Sequence, residues 1–196
     1  VKTADIPLKD LLKDIRSCRS CESLEPNPVI RASATARLLI IGQAPGSKVH
    51  ATGIPWNDPS GRRLRSWLGL NDQCFYDETQ VAIVPMAFCY PGKGRSGDLP
   101  PPPLCAQQWH KSVLSQLSNV ELTLLIGNYS QTYYLSDNKP KTLTDTVKAY
   151  ESFLEEGLFP LPHPSPRNTL WLKKNAWFEV NVLPELKRRI NALGLQ

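Results

Sequence analysis

Four short apolar runs, each stopped by a glycine or a proline, set the fold this chain can adopt. Residues 37–41 (RLLII) end at Gly42, 81–84 end at Pro85, Leu122–Ile126 ends at Gly127, and Leu158–Leu161 runs into Pro162 and His163. Runs this short and continuous are the pattern of strands buried on both faces, as in a parallel sheet. Helical patterns fall between them, over 8–17, 60–69, 104–118, 129–135, 142–154, 168–174 and 180–192. Ser60 is read as the cap of the helix over 60–69 and Gly69 as its end. Strands alternating with helices predict an α/β protein. The expected architecture is a three-layer α/β/α sandwich around a central four-stranded parallel sheet, in one domain over 1–196. Ligands bind outside the carboxyl ends of such strands. The segments after the four runs should therefore gather at one edge.

Composition narrows the class. Hydrophobic residues are 41% and charged residues 21% of the 196, as in an ordinary globular protein. No run approaches the roughly 20 apolar residues of a membrane span, so no membrane partner is expected. No apolar segment follows a basic start, so a secretory signal is not expected and the cytoplasm is. The net charge of +5 suits a polyanionic partner such as DNA.

Three motifs carry chemistry. The first is a cysteine set: the pair in Cys18-Arg-Ser-Cys21, then Cys89 and Cys105. Four thiolates suit zinc or an iron–sulfur cluster, and spacing leaves the two open; isolated buried cysteines are the plainer alternative. Cys74 has no companion and is taken as structural. With His50 and His110 as the other histidines beside His163, a histidine metal site is not expected. The second motif is Gly42-Gln43-Ala44-Pro45-Gly46, where small residues let a ligand approach exposed N–H groups. Trp56 follows on a proline-stiffened loop, where its ring could stack on a base or pack in the core. The third is His163-Pro164-Ser165-Pro166, a histidine fixed by prolines at a strand end, where it could polarise a substrate or serve only the fold.

In this order and spacing, CRSC, GQAPG, GIPW and HPSP resemble the uracil-DNA glycosylase superfamily, most closely its iron–sulfur branch (family 4). The resemblance spans Cys18 to about residue 190 and implies cleavage of the bond between a deaminated base and deoxyribose after base flipping. It implies that Cys18, Cys21, Cys89 and Cys105 hold a structural 4Fe-4S cluster, in preference to zinc, tying the segment 1–36 to the central loop. It also implies that Trp56 stacks on the base while Gly42, Gln43 and Ala44 contact it and position water. His163 would donate a hydrogen bond to the base oxygen as charge builds there, with Ser165 beside it.

The chain departs from that branch at three points. Gln43 stands where the branch has Glu, and the acidic residues that usually follow are replaced by Val49 and His50; Asp58 is the nearest carboxylate, with a turn or cap role as its plainer reading. Pro85 stands where the branch has the Asn that reads the uracil edge. No histidine lies between Cys89 and Cys105, so the covalent trapping activity of some relatives is not expected. Uracil remains the first expected substrate and hypoxanthine or xanthine the alternative. A non-catalytic iron–sulfur DNA-binding protein and a zinc module unrelated to repair are the readings from other classes.

Arg62, with Arg63 and Arg65, then Lys93, Arg95, Arg167, Lys173 and Lys174 are candidate phosphate contacts on single- or double-stranded DNA. Leu170 is a candidate wedge into the stack. Lys187, Arg188 and Arg189 read as a solvated helix face. A monomer is expected, one compact domain meeting one flipped base.

Overall fold

The computed structural model describes residues 6–195. Its central sheet has four parallel strands: β1 (Leu38–Ile41), β2 (Val81–Ile83), β5 (Leu122–Ile126) and β6 (Leu158–Leu161), in the order β2-β1-β5-β6. β1 is paired from Leu38 with both Val81 and Leu122, and β6 ends level with β5 through Ile126 and Leu161. The chain leaves β1 for one neighbour and later returns to the other side, so the strand order reverses between β1 and β5. A crevice opens at such a reversal, outside the carboxyl ends.

Alternation along the strands divides the core. Leu39 and Ile41 of β1 face α1 (Leu8–Arg16), through Leu11, Leu12 and Ile15, and α5 (Lys111–Leu114), through Val113. Leu38 and Ile40 face α3 (Pro59–Leu68), through Leu64, Trp67 and Leu68, and α9 (Leu183–Ala192), through Leu186 and Ile190. Both faces of the sheet are thus covered by helices, and the expected three-layer α/β/α arrangement is the one observed.

The remaining helices are short. α2 (Ser47–Thr52) and α4 (Asp72–Tyr76) were not expected; six and five residues are too few to show a helical period. α6 (Asn128–Leu135) and α8 (Thr169–Lys174) match the predicted segments closely. The pattern over 104–118 breaks into a π-helical turn over Ala106–His110 followed by α5. That over 142–154 becomes α7 (Leu143–Lys148) and a tighter turn over Tyr150–Glu156. α3 is capped by Asp58, whose Oδ1 accepts from the Gly61 N–H at 2.8 Å, and not by Ser60. Pro59 suits the first helical position, so the cap falls one residue before it.

The N-terminal segment shields the sheet's β2 side. Arg31 and Ile83 exchange both backbone hydrogen bonds, and the Val29 N–H donates to the Phe88 carbonyl. The N-terminal segment therefore runs along the exposed edge of β2, which would otherwise offer free backbone groups. Between Cys89 and Cys105, read from sequence as a loop, lies a small antiparallel hairpin, β3 (Lys93–Gly94) and β4 (Gly97–Asp98).

His110 locks the loop after β2. Its Nε2–H donates to the Pro85 carbonyl at 3.0 Å, and Nδ1 accepts from the Tyr134 hydroxyl. Burial pushes His110 from 6.5 down to about 4, so it is neutral in the fold. The unfolded chain takes up this proton near pH 6.5 and the folded chain only near pH 4. The unfolded state therefore binds more protons between those values, and stability falls as pH drops through that window. Loss on the order of 3 kcal/mol is expected from this group between pH 7 and 4. Urea midpoints should fall over that range more steeply for the natural protein than for His110→Phe, in which the titration is absent.

Candidate active site

The crevice at the strand-order reversal is a cavity of about 510 Å³. That lies within the range of small-molecule sites. Gly42, Gln43, Ala44, Trp56, Asp58, Pro85, His163, Ser165 and Arg167 all line it, so residues separated by most of the sequence meet at one sheet edge.

The loop after β1 is the floor. The Met86 N–H donates to the Gly42 carbonyl and the Ala87 N–H to the Gln43 carbonyl, each at 3.0 Å. These bonds extend the β1–β2 ladder past the strand ends and fix the loop. The Gln43 amide lies over Gly127 at the end of β5, where a Cβ would meet Nε2 at 2.6 Å.

Trp56 is the most constrained residue of the site. Its φ of 55° lies in the left-handed region, which a bulky side chain rarely adopts. Its carbonyl accepts from Arg65 Nη1 at 3.3 Å and from the Tyr76 hydroxyl at 3.4 Å. Its indole lies on Gly42, where a Cβ would stand 2.9 Å from Cζ2. Its backbone lies on Gly61 of α3, where a Cβ would stand 1.7 Å from the Trp56 oxygen. The indole and the His163 ring are neighbours, with centroids 5.7 Å apart and planes at 34°.

His163 is held from three sides. The Ser165 N–H donates to Nδ1 at 3.2 Å, and Asn168 Nδ2 donates to the His163 carbonyl at 2.7 Å. Arg63 Nη1 donates to the Ser165 carbonyl at 2.9 Å. Burial lowers the His163 pKa, opposed by the charges of Asp58 and Asp98, so the ring is neutral near pH 7. With Nδ1 accepting, the proton of the neutral ring resides on Nε2. The ring is thereby a hydrogen-bond donor without being a cation.

The basic candidates divide. Arg63 and Arg65 serve the fold: the first holds the His163 turn, the second the Trp56 carbonyl and Asp72, at 2.6 Å. Arg62, Lys93 and Arg95 are exposed and make no part of the cavity wall. Arg167 lines the cavity and donates to the Ser96 carbonyl at 3.3 Å, tying the His163 turn to the hairpin. Leu170 stands on α8 with 71% of its surface exposed. Arg188 and Arg189 pair with Glu185 on α9, as a solvated face does.

The sequence did not single out Asp98, Tyr129 or Asn168, all of which line the cavity. Tyr129 and Asn168 sit two residues beyond Gly127 and Pro166, so the strand-end rule points near them. Asp98 had no such signal, because the hairpin that carries it has no apolar pattern.

The cysteines gather elsewhere. All four candidates are free thiols. Burial pushes Cys105 up to about 11, with Cys21, Cys89 and Cys18 adding to the rise through their charges. Cys89 is raised by burial, with Cys21 and Cys18 again contributing. The four sulfurs thus share one neighbourhood, although among the described residues no three His, Cys, Asp or Glu side chains are placed so as to hold a metal ion. Cys74 is buried away from this set and raised by burial and by Asp77, as a structural thiol is.

Comparison with known families matches residues 30–187 to the uracil DNA glycosylase superfamily. The match takes in all four sheet strands and every cavity-lining residue but Val29, and the chain belongs to that superfamily.

Alanine for glycine inside a helix ordinarily stabilises by up to about 1 kcal/mol. At Gly61 the sign should reverse, because the new methyl overlaps the Trp56 carbonyl. Gly61→Ala should lose about 3 kcal/mol or more in chemical denaturation. An unchanged midpoint would mean that Trp56 is not seated on α3.

Proposed function

We propose that this superfamily member is a monofunctional DNA repair glycosylase that hydrolyses the N-glycosidic bond of a deaminated base, uracil first. The observation that carries this reading is the state of His163: neutral, with Nδ1 taken by the Ser165 N–H and the proton left on Nε2, beside the Trp56 ring. In such a hydrolysis water adds to C1′ and the C1′–N bond breaks with its electrons going to the base. A flipped base stacked on Trp56 would put a carbonyl oxygen near Nε2, whose N–H stabilises the charge that develops there. A neutral donor needs no added proton to be effective at neutral pH, and the Trp56 indole lies directly on Gly42. The loop from Gly42 to Ala44 would contact the base and hold water.

DNA is the proposed partner, with Arg62, Lys93, Arg95 and Arg167 as phosphate contacts and Leu170 filling the gap in the stack. Arg63 and Arg65 are not assigned this role, since their guanidinium groups are engaged in the fold and, unlike the exposed Arg167, they are half-buried. A monomer in the cytoplasm is the proposed state. No helix among the described residues is long and apolar enough to cross a membrane.

Hypoxanthine or xanthine is the second substrate reading. The observation favouring it is Pro85, which lines the cavity with no side-chain amide and with its carbonyl engaged by His110. Recognition of a base edge at that wall would then fall to Gln43 or the backbone.

Cys18, Cys21, Cys89 and Cys105 are proposed to hold a structural 4Fe-4S cluster, which when bound supplies a cross-link between the N-terminal segment and the central loop. Four thiolates in one neighbourhood repel one another, and a bound cationic centre relieves that cost. A cluster spans more space than one ion, which suits thiols that share a neighbourhood without converging on a point.

Two outcomes follow. On oligonucleotides carrying uracil, hypoxanthine or xanthine, single-stranded and paired, the protein should release uracil; His163→Ala should lower single-turnover excision about 10²- to 10³-fold while DNA affinity is retained. DNA binding without release from any substrate would support the non-catalytic reading instead. The purified protein should be brown and carry about four irons per chain, and Cys105→Ser should lose both colour and iron. A colourless protein with one zinc would replace the cluster by that ion.

A further inference from the structure

We propose that Asp98, on the hairpin between Cys89 and Cys105, is the carboxylate that takes a proton from the attacking water and faces the sugar in the excision reaction. This rests on the glycosylase reading above and assigns to the hairpin a task that the loop after β1 lacks the residue for. Gln43 there is an amide and cannot accept a proton at neutral pH. Of the described residues lining the cavity, Asp58 and Asp98 are the acidic ones.

The two differ in what their oxygens do. Asp58 closes α3, with Oδ1 on the Gly61 N–H, so its carboxylate is built into the helix start. Asp98 is presented from a turn. Its Oδ1 accepts from the Tyr90 hydroxyl at 3.2 Å, and its Oδ2 lies 3.7 Å from the place of a Cβ on Gly46. One oxygen is thus oriented by Tyr90 while the other stands against the end of the loop proposed to hold water. The hairpin is fixed for this: Arg167 Nη1 donates to the Ser96 carbonyl, and the Leu99 N–H donates to the Gly92 carbonyl at 2.9 Å. Arg167 belongs to the turn that carries His163, so the base-side donor and the sugar-side carboxylate are held relative to each other by one guanidinium.

The step balances as follows. The water oxygen bonds to C1′ and the C1′–N bond breaks, its electron pair leaving with the base, which His163 Nε2–H holds. The water proton passes to the Asp98 carboxylate and then to the released base, which restores Asp98. Before that transfer the carboxylate also opposes the positive charge that builds on the sugar.

Asp98→Asn tests this, since the amide keeps the size of the side chain and can still accept from Tyr90. Single-turnover excision should fall at least about 10²-fold, with affinity for a duplex bearing a tetrahydrofuran abasic site unchanged. Asp58→Asn, which still caps a helix, should lose far less. A second probe needs no turnover: a duplex bearing a cationic pyrrolidine in place of the sugar. The natural protein should prefer it over the tetrahydrofuran duplex, and Asp98→Asn should abolish the preference. Excision by Asp98→Asn at the natural rate, or a preference that survives the substitution, overturns the proposal. If the natural protein releases no base from any lesion yet its cation preference vanishes in Asp98→Asn, the glycosylase reading falls while the placement of the carboxylate stands.

Discussion

The parallel register of β2, β1, β5 and β6 is the constraint from which the site follows. Because Leu38 pairs with both Val81 and Leu122, and Ile126 with Leu161, all four strands end at nearly the same level. The segments that begin at Gly42, Pro85, Gly127 and Pro162 then have nowhere to go but the same edge. A one-residue slip in β1 would turn Leu38 and Ile40 to the wrong face and carry Gly42 away from Trp56. The core and the site are therefore specified together, since the burial that fixes the register also fixes the cavity floor.

Above that edge, arginine guanidinium groups hold the irregular backbone. Arg63 holds the Ser165 carbonyl, Arg65 the Trp56 carbonyl, and Arg167 the Ser96 carbonyl. Loops carry many carbonyls that no ladder satisfies, and a planar group with several N–H donors can reach them where water is partly excluded. These contacts explain how Trp56 keeps a left-handed φ and how a proline-flanked turn keeps one orientation of His163. They also draw Arg63 and Arg65 away from a polyanion, which on the proposed reading meets the exposed Arg62, Lys93, Arg95 and Arg167.

Much of this was legible in the sequence, for identifiable reasons. The runs ending at Gly42, Pro85, Gly127 and Pro162 are buried on both faces, so their apolar character survives without periodicity, and the three-layer fold followed from them. Trp56, His163 and Gln43 were legible because they adjoin strand ends or proline-fixed turns. The helix over 104–118 was legible in extent but not in form, since a π-helical turn inside it leaves no mark on an apolar pattern. Ser60 is as good a cap residue as Asp58, and only Pro59 between them decides for Asp58. The roles of Arg63 and Arg65 were illegible because a basic residue looks the same whether its partner is a phosphate or a carbonyl of its own chain. Asp98 was illegible for a further reason: it reaches the cavity through a two-residue strand whose placement depends on Arg167, 69 positions away in the chain.

The arrangement of charge fits one kind of transition state better than another. Cleavage of a glycosidic bond leaves the sugar short of electrons and the base rich in them. On the side proposed for the base stands His163, kept neutral by burial although Asp58 and Asp98 pull its pKa the other way. Were the ring a cation, it would pair with those carboxylates and cancel the charge that should face the sugar. A neutral donor on one side and the Asp98 carboxylate proposed for the other keep the two ends of the cavity distinct, which suits a reacting bond whose electrons move in one direction. The ends are joined through Arg167 and through the segment that Cys89 and Cys105 bound at its roots. Anything that holds those two thiols in place therefore also limits how far the hairpin, and Asp98 with it, can stray from His163.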